Sequence, residues 1–176
     1  AKNKDVAKKA TDIFWNEIMK HLVMFDGAKE TLNTLKTNHK LELVITSDEF
    51  IDILKRKLTA IFGDYHEYFN ALVTPEIVGV MKPSAKYYQY ALELFELKPE
   101  EVIVIGDSCK RDIVEAKKLG ITTILFKPKP VENIIDSFDK IGVEDIEEEV
   151  TDDEKCADYV AESYAAIDKI LKKLIK

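Results

Sequence analysis

Two carboxylates, Asp107 and Asp112, stand five residues apart directly after an apolar segment of the sequence. That segment, VIVI at 102–105, has the length and composition of a fully buried β-strand, and Gly106 allows a sharp turn at its end. In doubly wound α/β sheets, ligands bind beyond the carboxyl ends of the strands, where loops meet helix N-termini. We therefore expect both acids to lie at the ligand-binding edge of a sheet.

Polar side chains also lie at the end of another predicted strand and in a loop. Thr46 closes the apolar segment LELVIT and Ser47 follows it, while Lys82 lies in a loop just ahead of Pro83. A hydroxyl, an ammonium and two carboxylates suit a dianionic phosphate bound with a hard cation such as Mg²⁺, which binds few carboxylates and keeps several waters. Phosphoryl transfer needs mainly positioning and charge compensation, so these groups predict a phosphate site.

The elements that must position these groups alternate between helix and strand. This alternation favours an α/β, Rossmann-like three-layer fold, with a mainly parallel sheet between helices. Apolar residues at helical spacing predict a last helix that buries Val160, Tyr164, Ile167, Leu171 and Leu174. The other predicted helices are 5–25, 28–38, 50–61, 84–95, 112–119 and 134–141, and the predicted strands are LELVIT, NALVT, VIVI and ITTILF.

Composition and charge exclude several classes of partner. The chain has 176 residues, of which 46% are hydrophobic and 34% charged, as in a soluble single domain. A net charge of −7 argues against nucleic acid and anionic membranes, because both reward clustered Lys and Arg. No apolar stretch approaches membrane-spanning length, and the charged beginning AKNKDVAKK lacks the apolar segment of a signal peptide.

The cysteines indicate a reducing compartment. Cys109 and Cys156 are distant in sequence and predict neither a disulfide framework nor a zinc site. Cys109 lies between the two acids, but a variable loop position is the favoured interpretation over a redox role. A cytoplasmic location is therefore expected. The Lys, Glu and Ile bias, with six glycines, hints at a heat-tolerant source.

The alternation of helix and strand ends after Phe126. The segment KPKP cannot form regular structure, because proline removes a backbone donor and fixes its own dihedral. Residues 144–154 contain eight acids in eleven positions. We expect such an acidic segment to form a solvated surface loop rather than a metal-binding site.

Three motifs in register resemble those of the haloacid dehalogenase-like (HAD) superfamily. LVITSD, GVMKPS and VIVIGDSCKRDIVEAKKLGITTIL stand in the order and spacing of its second, third and fourth motifs. The resemblance covers roughly residues 20–126 and 156–171. It implies a remnant helical cap at 1–25, a core at 26–126, an acidic insertion at 127–156 and a C-terminal core helix at 157–176.

The resemblance also implies an activity, the Mg²⁺-dependent hydrolysis of a small phosphomonoester. Thr46 and Ser47 would bind the phosphoryl group, and Lys82 would steady both nucleophile and phosphate. Asp107 would ligate Mg²⁺, and Asp112 would ligate it or orient a bound water. The segment GDSCKRD looks like the phosphatase branch, since the dehalogenases of the superfamily typically replace the GD pair.

The nucleophile of this family is the first aspartate of a DxDx(T/V) motif, and that motif occurs nowhere in the 176 residues. Asp26 is the nearest imitation, with Ala28 where the second acid belongs. In the preferred interpretation Asp26 marks the return from cap to core. In the alternative, LVMF at 22–25 is the first core strand and Asp26 a degenerate nucleophile, but only twenty residues separate Asp26 from Thr46.

In the family's sheet the nucleophile strand lies between the strand ending at Thr46 and the strand ending at Gly106. Its slot must be filled, because each unmet buried backbone hydrogen bond costs about 1–3 kcal/mol. A missing N-terminal segment, a second chain or residues 20–26 could fill it. We expect the C-terminal part of a longer enzyme, inactive or severely impaired alone. The alternatives are an inactive phosphate- or protein-binding module and a receiver-like domain phosphorylated on Asp26.

Overall fold

The computed structural model describes residues 2–38, 40–128 and 154–175. The chain divides into two compact units, Ala1–Val80 and Met81–Lys176. The predicted helix 134–141 and almost all of the acidic segment 144–154 lie outside the described residues. The cap, core and insertion boundaries expected from the sequence stay predictions.

The unit Ala1–Val80 contains a pair of parallel strands. Val44 pairs with Ala71 and Thr46 with Val73. The Ser47 backbone N–H extends this ladder by donating to the Val73 carbonyl at 3.0 Å. The elements in chain order are α1 (Lys2–Lys20), α2 (Ala28–Thr37), β1 (Val44–Thr46), α3 (Ile51–Phe62), β2 (Ala71–Val73) and α4 (Pro75–Val78).

An apolar stripe on α3 forms the core of this unit. Leu54 and Leu58 are one helical turn apart and both are buried, together with Tyr65 from the following 3₁₀ turn. Partly buried apolar side chains from β1, β2, the end of α3 and the loop ahead of β2 complete the cluster, namely Ile45, Leu72, Phe62 and Phe69. The strands are thus held by the same periodic residues that predict the helix.

The unit Met81–Lys176 contains a three-stranded parallel sheet of order β3-β4-β5. Ile103 of the first strand pairs with Thr122 of the central strand, and Ile124 pairs with Tyr159 of the last. The elements in chain order are α5 (Lys86–Leu94), β3 (Ile103–Gly106), α6 (Val114–Lys118), β4 (Thr122–Phe126), β5 (Tyr159–Ala161) and α7 (Tyr164–Leu174).

The core of this second unit surrounds β4. Ile124 and Leu125 of β4 are fully buried, and β4 has a strand on each side. Tyr88 of α5, Ala116 of α6 and Ile121 form a second buried cluster. The buried central strand therefore fixes where β3 ends, and with it the loop that carries the two acids.

The predicted α/β fold with parallel strands is confirmed, but two helix boundaries are wrong. The first helix ends at Lys20 rather than at residue 25. The last predicted helix begins too early, because residues 159–161 form the strand β5 and Val160 lies in it. The residue that signals this break is a serine, Ser163. The Ser163 hydroxyl caps α7 by accepting from the Ala166 N–H, which sets the helix start at Tyr164.

Within the described ranges four of the five strands have a single strand neighbour, and the strands that end at Thr46 and Gly106 are among them. β1 pairs with β2, and β3 pairs with β4. Ile105, in the middle of the apolar β3, has 40% of its surface exposed. Residues 22–25 are not a strand, so LVMF does not supply a neighbour to either one in the structure. No helix in the described part of the chain is both long enough and apolar enough to cross a membrane.

Candidate functional site

A widened turn at Cys109–Ile113 carries Asp112 beyond the end of β3. It has the i→i+5 hydrogen bonding of a π-helix, since the Val114 N–H donates to the Cys109 carbonyl. The Ser108 side chain caps the turn by accepting from the Arg111 N–H. Single π turns of this kind are frequent at functional sites because they redirect side chains that a regular helix would place elsewhere.

The Asp112 carboxylate is buried and accepts from two directions. The Lys82 ammonium lies 2.7 Å from Asp112 Oδ1, and the side chains of this ion pair are only 9% and 10% exposed. The Ser108 backbone N–H donates to Asp112 Oδ2 at 3.2 Å. An ion pair removed from water is costly to separate, so each partner fixes the position of the other.

Asp112 approaches β3 so closely that only glycine fits at position 106. A Cβ added to Gly106 would lie 2.9 Å from Asp112 Cγ and 3.0 Å from Asp112 Oδ2, and closer still to Asp112 Cβ. Real Cβ atoms are not found at such distances. The glycine of the GDS motif is thus explained by close packing of the second acid on the strand end.

Two tyrosines at the start of α5 stabilise the Lys82–Asp112 ion pair. The buried Tyr88 hydroxyl donates to the Asp112 backbone carbonyl at 2.6 Å. The Lys82 ammonium lies 5.6 Å from the centre of the Tyr87 ring, and Tyr87 is fully buried. A desolvated cation over an aromatic face is stabilised by the ring quadrupole, so both partners of the ion pair are held by α5.

Asp107 lies beside Asp112 and is the more accessible of the two acids. Desolvation by the surrounding protein raises the pKa of Asp107, although its side chain still contacts solvent. The neighbouring Asp112 raises the Asp107 pKa further, through a hydrogen bond and through charge repulsion. The arrangement therefore holds a carboxyl group whose ionisation is opposed by its surroundings.

The donor set fits a hard divalent cation. Two adjacent carboxylates repel each other, and the raised pKa of Asp107 records that repulsion in addition to desolvation. Mg²⁺ is commonly bound through one or two carboxylates, with waters and substrate oxygens completing its octahedron. Among the described residues no group of three or more His, Cys, Asp or Glu side chains surrounds a cation position. Asp107 and Asp112 are the residues that could hold such a cation.

The structure thus brings together Lys82, Asp107 and Asp112, as the sequence predicts. Thr46 and Ser47 lie at the end of β1, in the unit Ala1–Val80. The Ser47 hydroxyl there accepts from the Glu49 N–H at 3.1 Å, which is a local turn contact. The phosphate-binding roles of Thr46 and Ser47 stay predictions.

Asp26 lies in an exposed turn just ahead of α2 and follows no strand. A nucleophile at the end of a core strand, the alternative interpretation of Asp26, requires LVMF to be extended and paired. The structure instead gives an irregular connection at residues 22–25, and the return from cap to core at Asp26 stays a prediction. The phosphoacceptor role of Asp26 has no further support in its surroundings.

The sequence-based view of the cysteines was wrong. Cys109 and Cys156 form a disulfide that joins the Cys109–Ile113 turn to the residues just before β5. It closes a loop across a sequence separation of 47, which by chain entropy stabilises the fold by about 4 kcal/mol. Two cysteines so far apart along the chain carry no pairing signal, because the parallel sheet alone brings them together.

Three site residues escaped the sequence analysis as functional groups, namely Tyr87, Tyr88 and Ser108. Tyr88 lies in the helix predicted at 84–95, but no pattern reports a hydroxyl bonded to one particular carbonyl. Ser108 had a usable signal, because a serine directly before a helical segment can cap that segment through its hydroxyl.

Comparison with known proteins shows which family the chain is similar to. Residues 1–126 match the family described as haloacid dehalogenase-like hydrolase. A glyceraldehyde 3-phosphate phosphatase of Pyrococcus furiosus is 35% identical over 101 residues, which are 57% of this chain and 41% of that protein. A ribulose-1,5-bisphosphate 5-phosphatase of Halopiger xanaduensis is 26% identical over 133 residues, 76% of this chain and 54% of that protein.

A solved structure shares the fold. The crystal structure of a HAD phosphatase from Thermococcus onnurineus aligns with this chain at a TM-score of 0.67 and 22% sequence identity. The alignment covers 89% of this chain and 61% of the Thermococcus onnurineus chain. The chain spans about half the length of the two curated relatives named above.

Proposed function

The chain belongs to the haloacid dehalogenase-like hydrolase family, and we propose that it forms the C-terminal part of a Mg²⁺-dependent phosphatase for small phosphomonoesters. One observation carries the proposal. The Lys82 ammonium lies 2.7 Å from Asp112, and Asp107 stands beside Asp112 at the end of β3. A cation-binding acid pair and a buried ammonium in one place suit a phosphate dianion with its metal ion.

Each residue has a separate task in this proposal. Asp107 and Asp112 would hold Mg²⁺, which when bound supplies positive charge against the phosphoryl oxygens. Lys82 neutralises Asp112 and adds a fixed positive charge at the same edge of the sheet. Thr46 would donate its hydroxyl to a phosphoryl oxygen, with Ser47 beside it. Tyr87 and Tyr88 keep the ion pair in position through α5.

Two observations support the proposal that part of the enzyme lies outside these 176 residues. Among the described residues every strand except β4 has one strand neighbour, β1 and β3 included, and Ile105 in β3 is 40% exposed. The chain also spans only about half of the curated relatives. A missing N-terminal segment, or a second chain, would supply the neighbouring strand and the nucleophilic aspartate.

The substrate class follows from the relatives. The two curated proteins described above are named for phosphatase activity on a phosphorylated triose and a phosphorylated pentulose. We propose a substrate of that size, a small phosphorylated metabolite rather than nucleic acid or membrane lipid. The cytoplasmic location predicted from the sequence is consistent with such a substrate.

A second candidate is a binding module that holds phosphate, or a protein partner, without hydrolysis. The absence of a DxDx(T/V) motif from the 176 residues favours it. The buried Lys82–Asp112 pair beside Asp107 disfavours it, because a site without turnover has no need for a costly buried ion pair next to an acid of raised pKa.

Hydrolysis of p-nitrophenyl phosphate, with and without Mg²⁺, separates the candidates. The assay compares this chain with a longer form that carries a DxDx(T/V) segment upstream, and Asp107→Asn in the longer form is the matched control. Mg²⁺-dependent activity in the longer form, lost in Asp107→Asn, supports the phosphatase. Inactivity of both forms supports the binding module. Activity of this chain that disappears in Asp26→Asn would overturn our placement of Asp26.

A further inference from the structure

The Cys109–Cys156 disulfide joins the residue that begins the Cys109–Ile113 turn to the chain just before β5. Asp112 is three residues beyond Cys109 in the same turn. The α-carbons of the two cysteines lie 6.0 Å apart, a separation that a disulfide spans readily. A covalent bond therefore anchors the segment that carries one of the two candidate cation ligands.

The two segments that the disulfide joins differ in how much their positions depend on it. On the C-terminal side, Asp158 accepts hydrogen bonds from the Thr123 backbone N–H at 2.9 Å and from the Thr123 hydroxyl at 2.8 Å. These contacts keep β5 beside β4 whether or not the sulfurs are joined. On the turn side, Cys109 packs against Ile113 and Leu125 in a small apolar cluster. The Lys82 ion pair and the Tyr88 hydroxyl hold the turn at Asp112, so breaking the S–S bond would leave β5 in place and loosen the turn at its Cys109 end.

We infer that Cys109 and Cys156 form a redox modification site whose oxidation state sets how firmly the Cys109–Ile113 turn holds Asp112. The co-reactant is a dithiol on reduction and an organic disulfide on oxidation. The effect on the turn follows from the disulfide alone, and only its consequence for a bound cation rests on the proposed function.

Reduction of the disulfide by a dithiol proceeds in two exchange steps. One thiol of the dithiol attacks Cys156 Sγ, which is more accessible than the buried Cys109. The S–S bond breaks, and Cys109 leaves with the electron pair and takes up a proton. The second thiol then displaces Cys156 from the mixed disulfide, which leaves the reductant as a cyclic disulfide. Two electrons and two protons pass to the protein, and a disulfide oxidant reverses the reaction.

A cytoplasmic location does not exclude this chemistry. Intracellular disulfides are rare in most organisms, where they are usually redox-sensing or catalytic, and they are common in hyperthermophilic archaea and bacteria. The bond here lies within five residues of both candidate cation ligands, Asp107 and Asp112, rather than in a remote surface loop. Its position ties the redox state to the site.

Thiol titration and hydrogen exchange of the 176-residue chain test the inference. The chain is compared after treatment with oxidised and with reduced dithiothreitol, and Cys156→Ser is the control. We expect the amides of Asp112 and Ile113 to exchange about tenfold faster after reduction, while the amides of α2 keep their rates. The reductant should leave exchange in Cys156→Ser unchanged.

Two titratable thiols after oxidation, or equal exchange in both states, would overturn the inference. Reduction of the natural chain is reversible and needs no variant, so the test stands even where Cys156→Ser folds poorly.

Mn²⁺ affinity, followed by electron paramagnetic resonance in the oxidised and reduced chains, separates this inference from the proposed function. Weaker Mn²⁺ binding after reduction supports both. Faster exchange with no Mn²⁺ binding in either state supports the redox site and counts against the cation site. Equal Mn²⁺ affinity in the two states would refute the link between the disulfide and the cation.

Discussion

Asp112 packs against the α-carbon of Gly106, and the space between them has no room for a methyl group. A Cβ at position 106 would lie 2.9 Å from Asp112 Cγ. Because Gly106 ends β3 and Asp112 lies in the Cys109–Ile113 turn, this contact sets how near the second acid comes to the end of the sheet. The first acid, Asp107, lies directly beside it.

Gly106→Ala should therefore displace Asp112 and destabilise the unit Met81–Lys176 by about 1–3 kcal/mol, as overpacking of a close contact does. Urea unfolding measures the loss of stability, and Mn²⁺ binding reports the displaced carboxylate. Gly120→Ala is the matched control. Gly120 has a φ of 83°, so alanine is strained there, but the nearest atom to an added Cβ is 3.9 Å away on Pro99. The control should lose stability and keep its Mn²⁺ affinity; loss of affinity in both variants would contradict the prediction.

Lys82→Met should destabilise the chain by about 3 kcal/mol, because it leaves the Asp112 carboxylate buried without its ammonium partner. The double variant Lys82→Met with Asp112→Asn should recover part of that loss, since no uncompensated charge remains. Urea unfolding of the single and double variants measures both. Lys118→Met, which removes a salt bridge to Glu115 whose lysine is 64% exposed, should change stability by less than about 1 kcal/mol. Equal losses in the single and double variants would show that the ion pair is not what holds Asp112.

Tyr88→Phe removes one hydroxyl and leaves the Asp112 backbone carbonyl without the 2.6 Å hydrogen bond that the hydroxyl donates. An unsatisfied buried acceptor costs about 1–3 kcal/mol, so stability should fall by that amount. Hydrogen exchange in the Cys109–Ile113 turn should rise with it. Tyr90→Phe, two residues further along the same helix and on its other side, is the control. If Tyr90→Phe is as damaging, the Tyr88 hydroxyl has no special role in positioning the turn.

Asp107 makes stability depend on pH in an unusual direction. Desolvation and the neighbouring Asp112 raise the Asp107 pKa above its ordinary 3.8, so the folded chain holds this proton more tightly than the unfolded chain does. The Asp107 contribution to the free energy of unfolding must then fall as pH rises from 3.8 through the raised pKa. Urea unfolding across that range, without divalent cation, should show the fall in the natural chain relative to Asp107→Asn.

Saturating Mg²⁺ should reverse that trend, because a bound cation favours the ionised carboxylate. Apparent Mg²⁺ affinity should accordingly increase with pH over the same range. A natural chain and an Asp107→Asn variant with parallel pH profiles would show that folding does not raise the pKa of Asp107.

The positions of Lys82, Asp107 and Asp112 could be predicted from where these residues stand relative to the predicted strands. An apolar segment that ends in Gly106 and Asp107 places the acid at a strand end whatever the rest of the chain does. Lys82 and Asp112 were expected near it because the carboxyl ends of parallel strands share one edge. The start of the last helix was misplaced, since Val160 fits a helical stripe and a buried strand equally well, and only pairing with β4 decides between them.

The sequence by itself therefore determined the parallel α/β fold, the family and the acids with their lysine, because all of these depend on residue type and spacing along the chain. Tertiary structure alone decided the Cys109–Cys156 bond, the Tyr88 hydroxyl contact with the turn, and the burial that raises the Asp107 pKa. The first two join residues that are distant in sequence, and all three depend on separations of a few ångströms that no periodicity encodes.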